Sequence, residues 1–170
     1  MGPPISTVNI MPDTTSSSGL LDIRRKLSGL EFFKKMIAGE VAPPPLVALL
    51  GLKLVEAEAG RVTFTGVARE DVYNGMGVAH GGFAATMLDS ALGCAINTAM
   101  PAGRVFTTID LQIHYTRALR REAGELRCTA TVVHVGSRTA TSEGRIVDAN
   151  GKVYAHGTTT CMLVEPPRGE

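Results

Sequence analysis

One carboxylate, that of Asp89, stands in the middle of an otherwise apolar segment of the chain, residues 81–100. No other carboxylate and no basic side chain occurs in this segment. A helix that is apolar on all sides is normally buried, and a buried carboxylate is costly unless it is hydrogen-bonded or used in chemistry. Asp89 is therefore a candidate base or nucleophile. The alternative is a carboxylate that pairs with a backbone or threonine donor and only specifies the fold.

A glycine-rich turn, His80-Gly81-Gly82, stands at the start of the same segment. The first N–H groups of a helix have no intrahelical partner and carry the positive end of the helix dipole. Glycine at this point permits the close approach of a ligand oxygen, so the turn could polarise a carbonyl and hold an oxyanion. The alternative is that His80 caps the helix and the glycines only shape the turn. Asn74, upstream in Tyr-Asn-Gly-Met-Gly, has the composition of a turn residue.

The segment that carries both features predicts a long helix over about residues 80–99, which Pro101 and Gly103 close. Small side chains and the carboxylate share one stripe of this helix, because they are spaced by three and four residues. The members of the stripe are Gly82, Ala85, Thr86, Asp89 and Gly93. Such a stripe would let another backbone or a ligand come close to the carboxylate.

Alternating patterns with a period of two predict strands on both sides of the helix. A hairpin is expected over residues 52–67, and four strands in a meander are expected over residues 105–116, 125–135, 138–148 and 152–164. In the first of the four, the face shared by Val105, Thr107, Ile109, Leu111, Ile113 and Tyr115 is expected to be buried. The sequence therefore predicts an α+β protein, a curved antiparallel sheet of about six strands wrapped around a long central helix.

One sheet does not readily cover both sides of such a helix, so a second copy of the chain is expected to pack on it. The helical segment from Gly81 to Asp89 spans roughly 13 Å, which is too far for both to act on one carbonyl. They would meet only if two helices lay antiparallel across a dimer. The sequence therefore predicts a homo-oligomer with a shared site.

The first part of the chain has a different composition, and we predict an N-terminal extension over residues 1–45 and a domain over residues 46–165. Residues 1–19 read as a loose tail rich in Pro, Ser and Thr. Residues 20–38 predict an amphipathic helix, or two short ones. Its apolar face would hold Leu27, Leu30, Phe33, Met36 and Ile37, and its cations would lie mostly elsewhere: Arg24, Arg25, Lys26, Lys34 and Lys35.

The composition of the 170-residue chain limits which classes of partner are expected. A net charge of +1 and 5% aromatic residues give no reason to expect nucleic acid or an anionic membrane as a partner. No apolar run is long enough to span a bilayer, and no signal-peptide pattern is present. Cys94, Cys128 and Cys161 show no metal-like spacing, so we expect buried free thiols and no metal site. Free thiols suit a reducing compartment, so a cytoplasmic location is expected.

Three motifs together resemble those of the hotdog-fold acyl-CoA thioesterases of the PaaI type (phenylacetic acid degradation thioesterase-like). The resemblance covers about residues 46–164 and leaves out the extension. It is carried by Asn74-x5-His80-Gly81-Gly82-x6-Asp89-x-Ala91, by Thr107-Thr108-Ile109-Asp110-Leu111-x-Ile113-x-Tyr115-x-Arg117, and by Val135-Gly136-Ser137-Arg138.

The resemblance implies a role for each matching residue. The N–H of Gly81 would polarise the thioester carbonyl with help from Asn74, and Gly82 would border the substrate. The partner subunit's Asp89 would activate water or attack directly, Thr108 would hold the water or the carboxylate, and His80 would support the loop or the leaving thiolate. The pantetheine arm would run past Gly136, Ser137 and Arg138, with Arg138 and Arg117 directed at the CoA phosphates.

The expected function is hydrolysis of an aromatic or short- to medium-chain acyl-CoA to the free acid and CoA. No cofactor is expected, because coenzyme A is part of the substrate, and the expected assembly is a homodimer or a homotetramer built as a dimer of dimers. Two alternatives are a non-catalytic acyl-CoA binding module and a hotdog enoyl-CoA hydratase. The Asp/His or His/Glu arrangement of the hotdog hydratases is not found in the loop around His80.

Overall fold

The structure, a computed structural model, describes residues 17–165, so most of the predicted tail, residues 1–16, lies outside the described residues. All six predicted strands and the long helix are present. In chain order the elements are α1 (Ser17–Lys26), α2 (Gly29–Ile37), α3 (Pro45–Leu49), β1 (Lys53–Glu58), β2 (Arg61–Val67), α4 (Gly81–Thr98), β3 (Val105–Tyr115), β4 (Glu125–Val135), β5 (Thr139–Val147) and β6 (Val153–Val164).

The six strands form one antiparallel sheet in the order β1-β2-β4-β5-β6-β3. Helix α4 packs against every strand, so the predicted architecture, a sheet wrapped around a central helix, is confirmed. The expected four-strand meander is wrong, since only β4, β5 and β6 follow one another. The chain crosses the sheet as α4 before it enters β3, and β3 therefore pairs with β6 at the far edge.

The burial of α4 is uneven around its axis. Side chains that face the sheet are buried, whereas Gly82 is exposed and Ala85, Thr86, Asp89 and Ser90 are half-buried. Gly93, the last member of the predicted stripe, is covered by the ring of Phe106, to which an added Cβ would come within 2.2 Å. We call these five less buried residues, Gly82, Ala85, Thr86, Asp89 and Ser90, the open stripe. Within residues 17–165, the stripe stays partly exposed.

Strand β3 departs from the predicted alternation. Its register with β6 shifts between Thr108 and Asp110, which makes Ile109 the extra residue of a β-bulge. A one-residue shift moves the following side chains to the other face. Leu111 and Ile113 therefore pack on the core as expected, but Ile109 is 54% exposed and Thr108 turns toward α4. The predicted burial of Ile109 is wrong because of this bulge.

The N-terminal extension shares the core of the sheet domain. Ser28 ends the first helical segment by capping α2 in a reciprocal box with Glu31, so two helices form instead of one. Phe32 and Phe33 are each 1% exposed, whereas Ile37, expected on the apolar face, is 41% exposed. Helix α2 packs on α4 and β1, and α1 packs on α2. The boundary at residues 45 and 46 stays a prediction.

Three further findings for the described residues concern membrane-spanning helices, cysteines and metal sites. No helix within residues 17–165 is long and apolar enough to cross a membrane. Cys128 and Cys161 are buried free thiols, as predicted, while the free thiol of Cys94 is only half-buried. In the same part of the chain, no group of three or more His, Cys, Asp or Glu side chains is arranged to hold a metal ion.

The contact between α2 and the end of α4 generates a stability prediction. A Cβ added at Gly29 would lie 1.8 Å from the carbonyl oxygen of Asn97, so α2 would have to move off α4. We expect Gly29→Ala to lower the free energy of unfolding in urea by about 1–3 kcal/mol, as overpacking typically does. Gly75→Ala is the matched control, because its added Cβ would meet nothing within 4 Å. Equal stability of the two variants would contradict this account of the packing.

Candidate active site

Asp89 is held by one hydrogen bond from β3. The Thr108 hydroxyl donates to Asp89 Oδ1 over 3.0 Å, and this contact exists because the bulge turns Thr108 toward α4. Asp89 Oδ2 accepts no hydrogen bond from residues 17–165. One carboxylate oxygen is thus anchored by a threonine donor, as expected if Asp89 only specified the fold. The other oxygen remains available for a water or a substrate.

An apolar cavity of about 480 Å³ opens beside this carboxylate. Asp89, Ser90 and Cys94 line it on the α4 side. Apolar side chains from the N-terminal extension form much of the opposite wall, among them Leu20, Phe32, Phe33, Met36, Pro44 and Val47. A carboxylate at the edge of an apolar cavity suits a reaction at one end of an apolar molecule.

Cys94 is a second conceivable nucleophile in this cavity. Its apolar surroundings raise the pKa of the thiol to about 12, although Arg24 acts in the opposite direction. The thiolate is the nucleophilic form of cysteine. At neutral pH Cys94 is therefore an unreactive thiol, and Asp89 remains the candidate reactive group on this wall.

The start of α4 leaves one backbone donor free. His80 is the N-cap, and its Nδ1 accepts the N–H of Gly82 over 2.9 Å, so its Nε2 carries the imidazole proton. The N–H of Gly81 has no acceptor within residues 17–165. An added Cβ at Gly81 would be 3.4 Å from Tyr115, which is an ordinary contact, so packing in this chain does not require a glycine there.

A second cavity of about 460 Å³ lies at this helix start and gathers several predicted residues: Asn74, His80, Gly81 and Arg117. The side-chain oxygen of Asn74 accepts the N–H of Met76 over 2.9 Å, so Asn74 shapes the turn and keeps only its NH₂ group for a ligand. Tyr115 donates to the Gly81 carbonyl over 3.1 Å and ties β3 to the turn.

The predicted pantetheine segment, Gly136 to Arg138, is the turn between β4 and β5. The Arg104 guanidinium donates to the Ser137 carbonyl over 3.4 Å, and the Leu163 N–H donates to the Arg138 carbonyl over 2.8 Å. Arg104 follows the C-terminus of α4, so this turn lies at the opposite end of the helix from Gly81. The side chain of Arg138 is exposed.

The candidate residues therefore form separate groups in one chain. Asp89 and Thr108 are in contact, and Asn74, His80, Gly81 and Arg117 share a cavity, but about 12 Å of rigid helix separates Gly81 from Asp89. Sequence reasoning missed the cavity residues Ser90, Arg24, Phe32 and Phe33. Ser90 could have been found as the neighbour of Asp89. The other three carry no local signal, because only tertiary packing brings the extension to α4.

Comparisons with known proteins identify the family and support the fold. Residues 76–155 match the family model described as "Thioesterase superfamily". A "putative esterase" of Halobacterium salinarum is 37% identical over 108 residues, which cover 60% of this chain and 69% of that protein. A mutant of the phenylacetic acid degradation protein PaaI from Thermus thermophilus is 32% identical, with a TM-score of 0.63, over 69% of this chain and 97% of that one.

A third relative has a more similar fold and a more distant sequence. It is a "putative thioesterase, phenylacetic acid degradation-related protein" from Ralstonia eutropha, which is 26% identical with a TM-score of 0.69. The match covers 76% of this chain and 98% of that structure. The chain therefore belongs to the thioesterase superfamily, as its resemblance to the hotdog-fold, PaaI-type members predicted.

Proposed function

We propose that the protein is a homo-oligomeric acyl-CoA thioesterase that hydrolyses its substrate to a carboxylic acid and free CoA. The observation that carries the proposal is the pairing of an anchored carboxylate with an apolar cavity. Asp89 keeps one oxygen free beside about 480 Å³ of space lined largely by apolar side chains. Membership of the thioesterase superfamily supports thioester hydrolysis as the class of reaction.

The active site is completed across a twofold dimer. The open stripe of α4 presents small groups, such as Gly82 and Ala85, that allow a second helix to approach closely. If the second α4 runs antiparallel, the partner subunit's Gly81 comes beside Asp89. The free edge of β3 supports the same association, since Ile109 and Tyr115 are more than half exposed on it.

In this arrangement the free N–H of the partner subunit's Gly81 donates to the thioester carbonyl oxygen, and the partner subunit's Asn74 assists. Asp89 then takes a proton from water, whose oxygen attacks the carbonyl carbon. The C–S bond breaks and the proton passes to the leaving thiolate. In a second route Asp89 attacks the carbonyl carbon itself, and water hydrolyses the resulting anhydride. Neither route calls for a cofactor.

We place the CoA moiety where the end of one α4 lies beside the start of the α4 of the partner. In an antiparallel dimer, the turn at Gly136–Arg138 of one protomer lies near the helix-start cavity of its partner. Arg117 lines that cavity and donates to the Val153 carbonyl, which holds its guanidinium in place. Arg138 is exposed at the turn and the partner subunit's Arg117 is held beside it, so the two flank the path of a CoA phosphate group.

The first prediction of this mechanism concerns Asp89. We expect Asp89→Asn and Asp89→Ala to lower kcat for thiol release from an acyl-CoA panel by about 10²–10⁴-fold, because the base or nucleophile is lost. Asp71→Asn is the matched control, since that carboxylate is exposed and pairs with Arg69. Turnover like that of the wild type in either Asp89 variant would remove Asp89 from its role. Saturable binding of CoA esters without thiol release would indicate a binding module, and loss of enoyl absorbance without thiol release a hydratase.

The second prediction isolates the N–H of Gly81. Proline is well tolerated at the first position of a helix, and His80, with φ −58° and ψ 140°, already has the conformation that a residue before proline adopts. Gly81→Pro removes the donor, whereas Gly81→Ala keeps it and adds the Cβ. We expect kcat/KM of the proline variant to be about 10²–10³-fold below that of the alanine variant. Equal values for the two would show that this N–H does not act on the substrate.

The shared site predicts complementation between two inactive variants. Co-expressed Asp89→Asn and Gly81→Pro chains should form mixed dimers with one native site, because each chain supplies the half that the other lacks. Random pairing would restore about one quarter of the wild-type activity. Differently tagged chains, purified on both tags, measure the mixed dimer directly. A mixed dimer without recovered activity would contradict the shared site.

A further inference from the structure

Arg24 is a cation on the wall of an otherwise largely apolar cavity. It lies on α1 and lines the same cavity as Asp89. Its guanidinium carbon is 4.6 Å from the ring centroid of Phe32 and 5.5 Å from that of Phe33. A guanidinium that lies over aromatic rings is held in place by them, while the N–H groups at its edge remain able to donate. The two rings thus orient a fork of donors.

This cation has no anionic partner in the described chain. No carboxylate within residues 17–165 forms a salt bridge with Arg24, and its N–H groups donate to no acceptor there. The next residue, Arg25, pairs with Asp22 over 2.5 Å. Burial lowers the pKa of the Arg24 guanidinium, which reports the cost of removing this charge from water. An arginine stays protonated under such conditions, so the cavity keeps an uncompensated positive charge.

The position of Arg24 places this charge away from the reacting end. On α4 its electrostatic neighbour is Cys94, which also lines the cavity. Cys94 lies five residues beyond Asp89, a distance of about 7.5 Å along the helix. A molecule that reaches from Asp89 to Arg24 lies within a cavity that the rings of Phe106 and Phe64 also line.

We propose that Arg24 determines substrate choice by binding a carboxylate at the end of the acyl group remote from the thioester. The substrates would then be CoA monothioesters of dicarboxylic acids. This inference rests on the proposed function, because it assigns the cavity to the acyl group. A carboxylate matches the guanidinium fork with two parallel hydrogen bonds, and it neutralises the charge that nothing else in the described cavity offsets. The apolar wall suits the methylene chain, and the separation along α4 keeps the new carboxylate apart from Asp89.

The competing account gives Arg24 a structural role, in which its stem and guanidinium only cover Phe32 and Phe33. The two accounts differ in what a neutral replacement does. Loss of a cover would affect all substrates alike. Loss of a carboxylate receptor would affect only substrates that carry the carboxylate.

Matched pairs of substrates separate the accounts. Adipyl-CoA is compared with hexanoyl-CoA, and suberyl-CoA with octanoyl-CoA, in the full-length protein. We expect the wild type to favour the carboxylate-bearing member of at least one pair by about tenfold or more in kcat/KM, the scale of a charge-assisted pair. Arg24→Met should abolish this preference, so that the two members of the pair are hydrolysed with similar kcat/KM. Arg24→Lys, which keeps the charge but loses the fork, should keep part of the preference. Arg25→Met removes a charge from the same helix outside the cavity and should change neither value.

Binding of non-hydrolysable thioethers tests the inference without turnover. S-carboxyalkyl-CoA and S-alkyl-CoA of equal length are titrated calorimetrically into the wild type and Arg24→Met. A tighter Kd for the carboxylate, lost in the variant, supports the inference even if no thioester is hydrolysed, in which case only the proposed function is wrong. Equal Kd values in the wild type, or an equal loss for both ligands in the variant, would overturn it while hydrolysis of plain acyl-CoA leaves the proposed function standing.

Discussion

A single rigid helix carries both groups that the proposed mechanism uses, and the rest of the structure depends on this constraint. The backbone donor of Gly81 stands at the start of α4, while Asp89 stands two turns later, and no motion within a helix brings them together. The sheet covers one side of α4 and leaves the open stripe, from Gly82 to Ser90, partly exposed. A helix that is apolar on nearly all sides requires burial there as well. In the proposed dimer, one second helix meets both the need to bury this side of α4 and the need to complete the site.

The bulge in β3 connects sheet packing to the carboxylate. Without the extra residue, Ile109 would continue the inward row of Leu111 and Ile113, and Thr108 would point away from α4. With it, a hydroxyl reaches Asp89 and an isoleucine is exposed on an edge strand. An exposed apolar side chain on a free edge is a liability in a lone protomer. Its cost is offset if the edge is also part of the dimer, so one local irregularity serves both the site and the assembly.

Much of the fold follows from local patterns, and the exceptions have physical causes. The alternating strands and the apolar helix were predictable because each is set by its own periodicity. The bulge was not, since Thr107-Thr108-Ile109 contains no glycine or other residue that marks one. The order of the strands depends on how α4 crosses the sheet, which no local pattern encodes. The sequence motif revealed the candidate residues on α4. It did not reveal the wall of the cavity beside them, because Phe32 and Arg24 reach α4 only through packing of the extension.

In the proposed enzyme, some elements carry the reacting groups and others form the cavity wall that selects the substrate. Helix α4 and strand β3 supply the groups that we propose act on the carbonyl, and they lie in the part of the chain that matches the superfamily. Helices α1 to α3 supply most of the cavity wall, and α1 and α2 are anchored through Phe32 and Phe33 in the common core. A substitution on α1 can thus change the charge or shape of the wall without moving Asp89, which is fixed from the other side by Thr108. Because Arg24 lies over aromatic rings and pairs with no carboxylate within residues 17–165, its charge suits the ligand carboxylate that we propose.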